Sequence, residues 1–334
     1  MNVISSRRVA ALLEVLGVTA AGPLLMWTIR QLFGIRIVNP LNELSAGMSG
    51  HELLIASGQM LELLLFQYCG YFLLIFPLNW WYRRTALASY GLLRPSVSWR
   101  VLALSVVATG ALATAPALTV AAVNSLNPGE TVAWRQALME MPPRWQTWLF
   151  TAVMSWAVIP VLEELFHRGY CLRRLAEDWG RGPAIVGSAC LFTFAHSQYF
   201  LLNAYNLATI VTLLFFSICV GTAFVMTRSL VPGIAAHMIL NLPLSSPWQA
   251  ILPALLLLIA ISTWRYGMAS LYGALRSTNT RLAAVLVVVS ISYEVIMARD
   301  AIWPSVAATA LLVVAVIMEI RERRSSSAVP PQGR

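Results

Sequence analysis

The sequence TWLFTAVMSWAVIPVLEELF, at residues 147–166, decides the class of fold. About 20 predominantly apolar residues are enough to cross the hydrocarbon core of a bilayer as one helix. Near the end of this stretch stand two adjacent acids, Glu163 and Glu164, followed by Arg168. A charge at the bilayer centre costs about 2.5–3.5 kcal/mol on insertion scales. Adjacent acids in such a segment therefore indicate a function or a specific partner.

The composition of the whole chain agrees with a membrane location. Hydrophobic residues make up 58% and charged residues 11%, whereas a soluble domain carries about 25% charge. The net charge of +9 is explained by basic loops on a membrane protein, so we expect a lipid bilayer and no nucleic acid as a partner. The cysteines form no C-x-x-C pair and no zinc spacing, which favours buried structural thiols; they are Cys69, Cys171, Cys190 and Cys219.

The hydropathy pattern predicts an all-α fold, a polytopic transmembrane helical bundle of about eight to ten spans. The candidate spans are 9–29, 52–78, 101–123, 147–166, 184–202, 207–227, 232–246, 248–264, 282–298 and 303–320. The seventh and eighth are short and flank Pro243 to Pro247, so a bent hairpin or a re-entrant element is an alternative there. The predicted regions are N-terminal helices 1–84, a core 85–245, C-terminal helices 246–324 and a disordered tail 325–334.

The distribution of arginine predicts the orientation. With the N-terminus inside, most of the 23 basic residues fall in cytoplasmic segments, as the positive-inside rule requires. We therefore expect an integral protein of a bacterial inner membrane with both termini cytoplasmic. The oligomeric state is not predicted.

The acids of the fourth span have distinct expected roles. Glu164 and Arg168 are four residues apart with the acid first, a spacing at which they pair on one helix face. Glu163 points about 100° away and stays less compensated. Separating two carboxylates in this way suits Glu163 as a general base and Glu164 as an orienting group. The alternative is a structural ion pair near the cytoplasmic interface.

Two later apolar segments each contain one histidine. His196 falls in the fifth predicted span, and His237 with Asn241, again four residues apart, opens the seventh. A single histidine in an apolar helix usually serves packing. Together with the acids, however, these residues predict a catalytic site assembled from three helices, in a cavity open to the cytoplasmic side.

The remaining polar residues are weaker candidates. Glu14, Glu62 and Glu294 lie in apolar runs without an obvious partner, and His167 is turned away from the Glu164–Arg168 pair. The spans contain no G-x-S-x-G or G-x-G-D pattern, which disfavours serine and aspartyl intramembrane proteases.

Three motifs carry a family resemblance: Glu163-Glu164-x-x-x-Arg168, Phe192-x-x-x-His196 and His237-x-x-x-Asn241. In this order the chain resembles the CPBP family of intramembrane proteases, which includes type II CAAX prenyl endopeptidases and bacteriocin-processing or immunity-related proteins. The resemblance extends over roughly residues 85–245 and includes the segment from Gly91 to Pro95 and Gly221.

The resemblance implies hydrolysis of a peptide bond in a membrane-bound or lipidated protein substrate. Glu163 and His196 would position and deprotonate the attacking water, and Glu164 with Arg168 would brace the site. His237 and Asn241 would stabilise the oxyanion. No cofactor is required in this interpretation. The alternative is a metalloprotease mechanism with a divalent metal, zinc, bound by Glu163, His196 and His237.

Two other classes of protein remain as alternatives. One is a non-catalytic membrane immunity or scaffold protein of the same fold, although the presence of all six polar motif residues argues against a lost activity. The other is a proton-coupled carrier whose intramembrane acids and histidines form a relay. The clustering of these residues in one block, without the paired halves of an inverted repeat, disfavours the carrier.

Overall fold

A computed structural model describes residues 3–79, 133–199 and 203–241, with scattered positions between 99 and 126 and between 255 and 265. Every regular element in these ranges is helical, which confirms the all-α prediction. Four helices within the described residues are long and apolar enough to cross a membrane, so the chain is an integral membrane protein. Several predicted features lie outside the described residues. They are the spans 282–298 and 303–320, Glu294, the Gly91–Pro95 segment, the tail, most of span 101–123 and all but isolated positions of span 248–264.

The first two predicted spans are the helices α1 (Val3–Phe33) and α2 (Gly50–Pro77). A short 3-10 turn, Pro40–Asn42, lies in the connection. Helix α2 begins with a capping box, in which the Ser49 side chain accepts from the Glu52 N–H and the Glu52 carboxylate accepts from the Ser49 N–H. These bonds satisfy two backbone donors that a helix start leaves without an intrahelical partner.

Helices α1 and α2 approach each other closely through small residues. A Cβ atom at Gly70 would collide with the carbonyl oxygen of Gly22 and with the Met26 side chain. Small residues at such crossings let membrane helices pack backbone against backbone, since van der Waals contact drives their association. Gly22 and Gly70 therefore fix the spacing of this pair.

A short helix, α3 (Ala133–Glu140), precedes the long bent helix α4 (Trp145–Trp179). Two π-helical segments, Ala152–Trp156 and Leu165–Leu172, interrupt α4. The first is followed by Pro160, which lacks an N–H group and crowds the carbonyl four residues earlier. Ala157 accordingly bonds back five residues, to the Ala152 carbonyl, at 3.0 Å.

Helix α4 continues beyond residue 166, the predicted end of the fourth span, to Trp179. Arg168 and Arg174 follow the predicted end of the fourth span and were therefore among the basic residues expected in a cytoplasmic segment, yet their exposed fractions are 0% and 7%. Each is neutralised inside the bundle, Arg168 by Glu164 and Arg174 by Glu14. The two adjacent acids therefore lie near the middle of α4, not at its end.

Helix α4 turns into α5 (Arg181–Phe194) at Gly180, whose φ of +83° is a conformation that glycine adopts without steric cost. The predicted fifth span, 184–202, was too long, because α5 ends at Phe194 and a 3-10 turn, Ser197–Tyr199, follows it. Helix α6 (Ala204–Thr227) crosses back, and α7 (Val231–Leu240) is a half-length helix that ends beside α4.

Glu14, for which the sequence offered no partner, joins α1 to the second half of α4. Its carboxylate lies 2.9 Å from Arg174 Nε and accepts a hydrogen bond from the Tyr170 hydroxyl at 3.1 Å. Arg174 also pairs with Asp178 at 2.6 Å. Glu62, by contrast, is exposed on α2.

The same substitution at two glycines of α2 tests the close packing of α1 and α2. We expect Gly70→Ala to lower the melting temperature of the detergent-solubilised protein, since overpacking costs about 1–3 kcal/mol. Gly58→Ala is the control, because a Cβ there meets nothing within 4 Å. It should leave the melting temperature unchanged or raise it, as alanine is the better helix former by about 1 kcal/mol. Equal shifts for both variants would contradict the close packing.

Candidate active site

The centre of the site is an ion pair without access to solvent. Arg168 Nη1 lies 2.9 Å from Glu164 Oε1, and both side chains are 0% exposed. The second guanidinium nitrogen, Nη2, donates to the Ser217 hydroxyl at 2.7 Å. The guanidinium carbon also lies 4.5 Å from the centre of the Phe192 ring and 5.7 Å from that of Phe216. These contacts hold Arg168 from α5 and α6 as well as from its own helix.

His237 connects both acids. Its Nδ1 donates to Glu164 Oε1 at 3.2 Å, and its Nε2 lies 3.7 Å from Glu163 Oε2. The Glu164 carboxylate thus accepts from Arg168 and from His237 through the same oxygen. Since the proton on Nδ1 is held by this bond, Nε2 is the nitrogen with a free lone pair when the imidazole is neutral.

His196 is placed by the end of α5. Its backbone N–H bonds to the Thr193 carbonyl, which leaves the Phe192 carbonyl without the usual helical donor. His196 Nδ1 donates to that carbonyl at 2.8 Å. The bond caps the helix and directs Nε2 towards Glu163, with 4.0 Å between Nε2 and Oε1.

Glu163 lies between these two histidines and differs from Glu164 in its exposure and in its ion pairing. Its side chain is 13% exposed, against 0% for Glu164. It makes no ion pair with Arg168 among those of the described residues, as predicted from the helical spacing, and its Oε2 has no hydrogen-bond partner there. A carboxylate flanked by two imidazole Nε2 atoms can hold and deprotonate a water molecule.

Asn241 caps the C-terminal end of α7. Its side-chain amide donates to the Ser155 carbonyl in the first π-helical segment of α4, at 3.1 Å. An amide group has a second hydrogen to donate. Asn241 therefore fixes the end of α7 against α4 and retains one donor.

The structure brings five of the six predicted site residues into one connected cluster, and the sixth, Asn241, follows His237 by one turn and contacts Ser155 of α4. Phe192 lies at the centre of the cluster, with ring centroids 4.7 Å from His196 and 5.9 Å from His237. His167, which we treated as peripheral, is buried, and its ring is edge-on to Phe192 at 5.2 Å.

Sequence reasoning missed two members of the region. Ser217 supports Arg168 from α6, where a serine in an apolar helix gave no distinguishing signal. Gly233 lies one turn before His237, and a Cβ there would meet Val220 at 2.6 Å and Glu164 Oε2 at 3.1 Å. The sequence feature that could have predicted this contact is the position of Gly233 one helical turn before His237.

The alternative metalloprotease mechanism requires Glu163, His196 and His237 as ligands of one metal ion. Within the described ranges, no three histidine, cysteine or acidic side chains are arranged to hold a metal ion. The Glu163 carboxylate lies 4.0 Å from His196 Nε2 and 3.7 Å from His237 Nε2. Zinc bound by these three residues stays the alternative to a metal-free mechanism.

Comparison with known proteins supports the resemblance seen in the motifs. Residues 143–243 match the family model described as Type II CAAX prenyl endopeptidase Rce1-like. The matched segment is less than a third of the chain, yet it includes all six motif residues, and over this segment it agrees with the predicted family. No curated protein and no solved structure matches the chain.

The two adjacent acids should differ in their effect on stability. Glu164→Gln leaves the Arg168 guanidinium buried without its carboxylate, and breaking a buried pair costs about 3–5 kcal/mol. Glu163→Gln removes no ion pair with arginine and should change stability by about 1 kcal/mol or less. Thermal unfolding of both variants in the same detergent measures the difference. A larger loss for Glu163→Gln would show that the ion pair has been assigned to the wrong acid.

Proposed function

We propose that this chain, whose central helices match the Rce1-like family, is an intramembrane endopeptidase. It hydrolyses a peptide bond in a membrane-bound or lipidated protein substrate near the cytoplasmic face of a bacterial inner membrane. The observation that carries the proposal is the position of Glu163, a partly exposed carboxylate between two imidazole Nε2 atoms. Both histidines are fixed through Nδ1, His196 by a backbone carbonyl and His237 by Glu164.

The spacing suits one water molecule. Separations of 3.7 and 4.0 Å between Glu163 and the two Nε2 atoms exceed a direct hydrogen bond. A water among these three groups can donate one hydrogen to the carboxylate and the other to an imidazole. Its oxygen lone pairs then point away from the donors and towards a substrate carbonyl carbon.

Hydrolysis follows from this arrangement. Glu163 takes a proton from water as the new carbon–oxygen bond forms, and the carbonyl π electrons move onto oxygen. Collapse of the tetrahedral intermediate breaks the carbon–nitrogen bond, and Glu163 returns the proton to the leaving amine. General-base assistance of this kind contributes about 10²–10⁴-fold in rate.

The oxyanion is the second charge that the site must stabilise. Asn241 offers its second amide hydrogen, and His237 completes the cavity beside it. Each oxyanion donor is worth about 10²–10³-fold in kcat. Glu164 and Arg168 stay outside the chemistry and hold His237 in place.

A paired comparison of variants tests proteolysis directly. We expect N- and C-terminal peptide profiles of membranes from cells expressing the wild type to contain discrete termini that disappear with Glu163→Gln, which removes the base and keeps the shape. Glu62→Gln, at an exposed acid of α2, is the control and should give the wild-type profile. If the Glu163→Gln profile equals the wild type and this variant still complements a deletion, a non-catalytic immunity or scaffold role is the better account.

Chelation distinguishes the two chemical mechanisms. The purified protein should keep its activity after treatment with a strong zinc chelator and dialysis, because Glu163 activates water without a metal. Activity is measured as the rate of release of a peptide from a substrate identified in the profiles. Loss of activity on chelation and its recovery with added zinc would replace this mechanism with a metal-dependent one.

A further inference from the structure

Helix α2 lies against α4 at the level of the proposed base. Leu162, which directly precedes Glu163, packs in two apolar clusters. One of these contains Leu64 and the other Tyr68, two residues that are one turn apart on α2. A single turn of α2 therefore covers the part of α4 that carries Glu163.

The Tyr68 ring is tightly held. It is 7% exposed and lies edge-on to Tyr71, with 5.7 Å between ring centroids and an interplanar angle of 68°. Tyr71 in turn stacks on Phe166 of α4 at 4.1 Å. The stack of Tyr71 on Phe166, three residues after Glu163, places this part of α2 beside the turn of α4 that carries Glu163, and the Tyr68 hydroxyl interacts with the Glu163 carboxylate.

A buried phenol beside a carboxylate is a strong donor in a fixed position. A hydrogen bond to a charged acceptor contributes more than one between neutral groups. Because the carboxylate has no ion pair with Arg168, its orientation between the two imidazoles needs another source. The ring of Tyr68 has only two rotatable side-chain bonds and is locked by its neighbours, so its hydroxyl can supply that orientation.

We propose that Tyr68 is a positioning residue whose hydroxyl donates a hydrogen bond to Glu163 and holds the carboxylate between His196 and His237. This inference rests on the proposed function for its effect on activity. It also assigns a role to the N-terminal helices, since α2 lies outside the family match at 143–243. The site of this protein is then completed from outside the segment that defines the family resemblance.

Two matched variants separate this role from packing. Tyr68→Phe keeps the ring and removes the hydroxyl, and it should lower kcat about 10- to 100-fold with little change in KM, because a misplaced catalytic group mainly costs rate. Tyr71→Phe is the control on the same helix; its hydroxyl interacts with Gln67 instead, and it should retain wild-type kcat. Equal kcat for Tyr68→Phe and the wild type would overturn the proposal.

A thermal double-variant cycle tests the contact without any substrate. Tyr68→Phe, Glu163→Leu and the pair are melted in the same detergent. If the hydroxyl binds the carboxylate, the double variant melts close to the less stable single variant and not at the sum of both shifts. Additive shifts would overturn the contact. Coupled melting in a protein that cleaves nothing would retain the contact and reject the protease function.

Discussion

The buried ion pair between Glu164 and Arg168 is the constraint on which the rest of the site depends. Both side chains are without solvent, and a single charge left in this region would be costly. The pair is therefore held by several partners. Ser217 binds the guanidinium, Phe192 and Phe216 cover it, and His237 donates to the carboxylate. Helices α4, α5, α6 and α7 all contribute to this set, so the helices meet in one arrangement.

The buried ion pair also gives the two adjacent acids, Glu163 and Glu164, different roles. Glu164 uses its Oε1 for Arg168 and for His237, so it has little freedom to act as a base. Glu163 lies on another face of the same helix turn and is partly exposed. Adjacent positions in a helix thus give one carboxylate a structural partner and leave the other facing two imidazoles. Glu163 and Glu164 have different roles because their side chains leave the helix in different directions, although the residues are adjacent in sequence.

The sequence predicted the parts of the structure that follow from local geometry. The all-α class, the Glu164–Arg168 pair and the convergence of three motifs depend on apolar length and on spacings of four residues, and the structure confirms them. The sequence did not predict contacts between residues that are distant along the chain. Glu14 and Arg174 are 160 residues apart, and without that pairing Arg174 resembled a loop charge. The early end of α5 was missed because His196 caps its own helix through Phe192, which an apolar run does not reveal.

The distribution of contacts explains why a family match to less than a third of the chain can include every motif residue. The charged and imidazole groups lie on α4, just after the end of α5 and on α7, all between residues 163 and 237 of the chain, and a family model detects such a block. The surfaces that hold α4 in place come from elsewhere: α1 binds its second half through Glu14, and α2 covers it beside Leu162. Packing surfaces tolerate exchange of apolar residues of similar volume, so they carry weaker sequence signals than the motifs. The residues proposed for the reaction therefore lie in one block of the sequence. The contacts that hold these residues in position come from helices throughout the bundle.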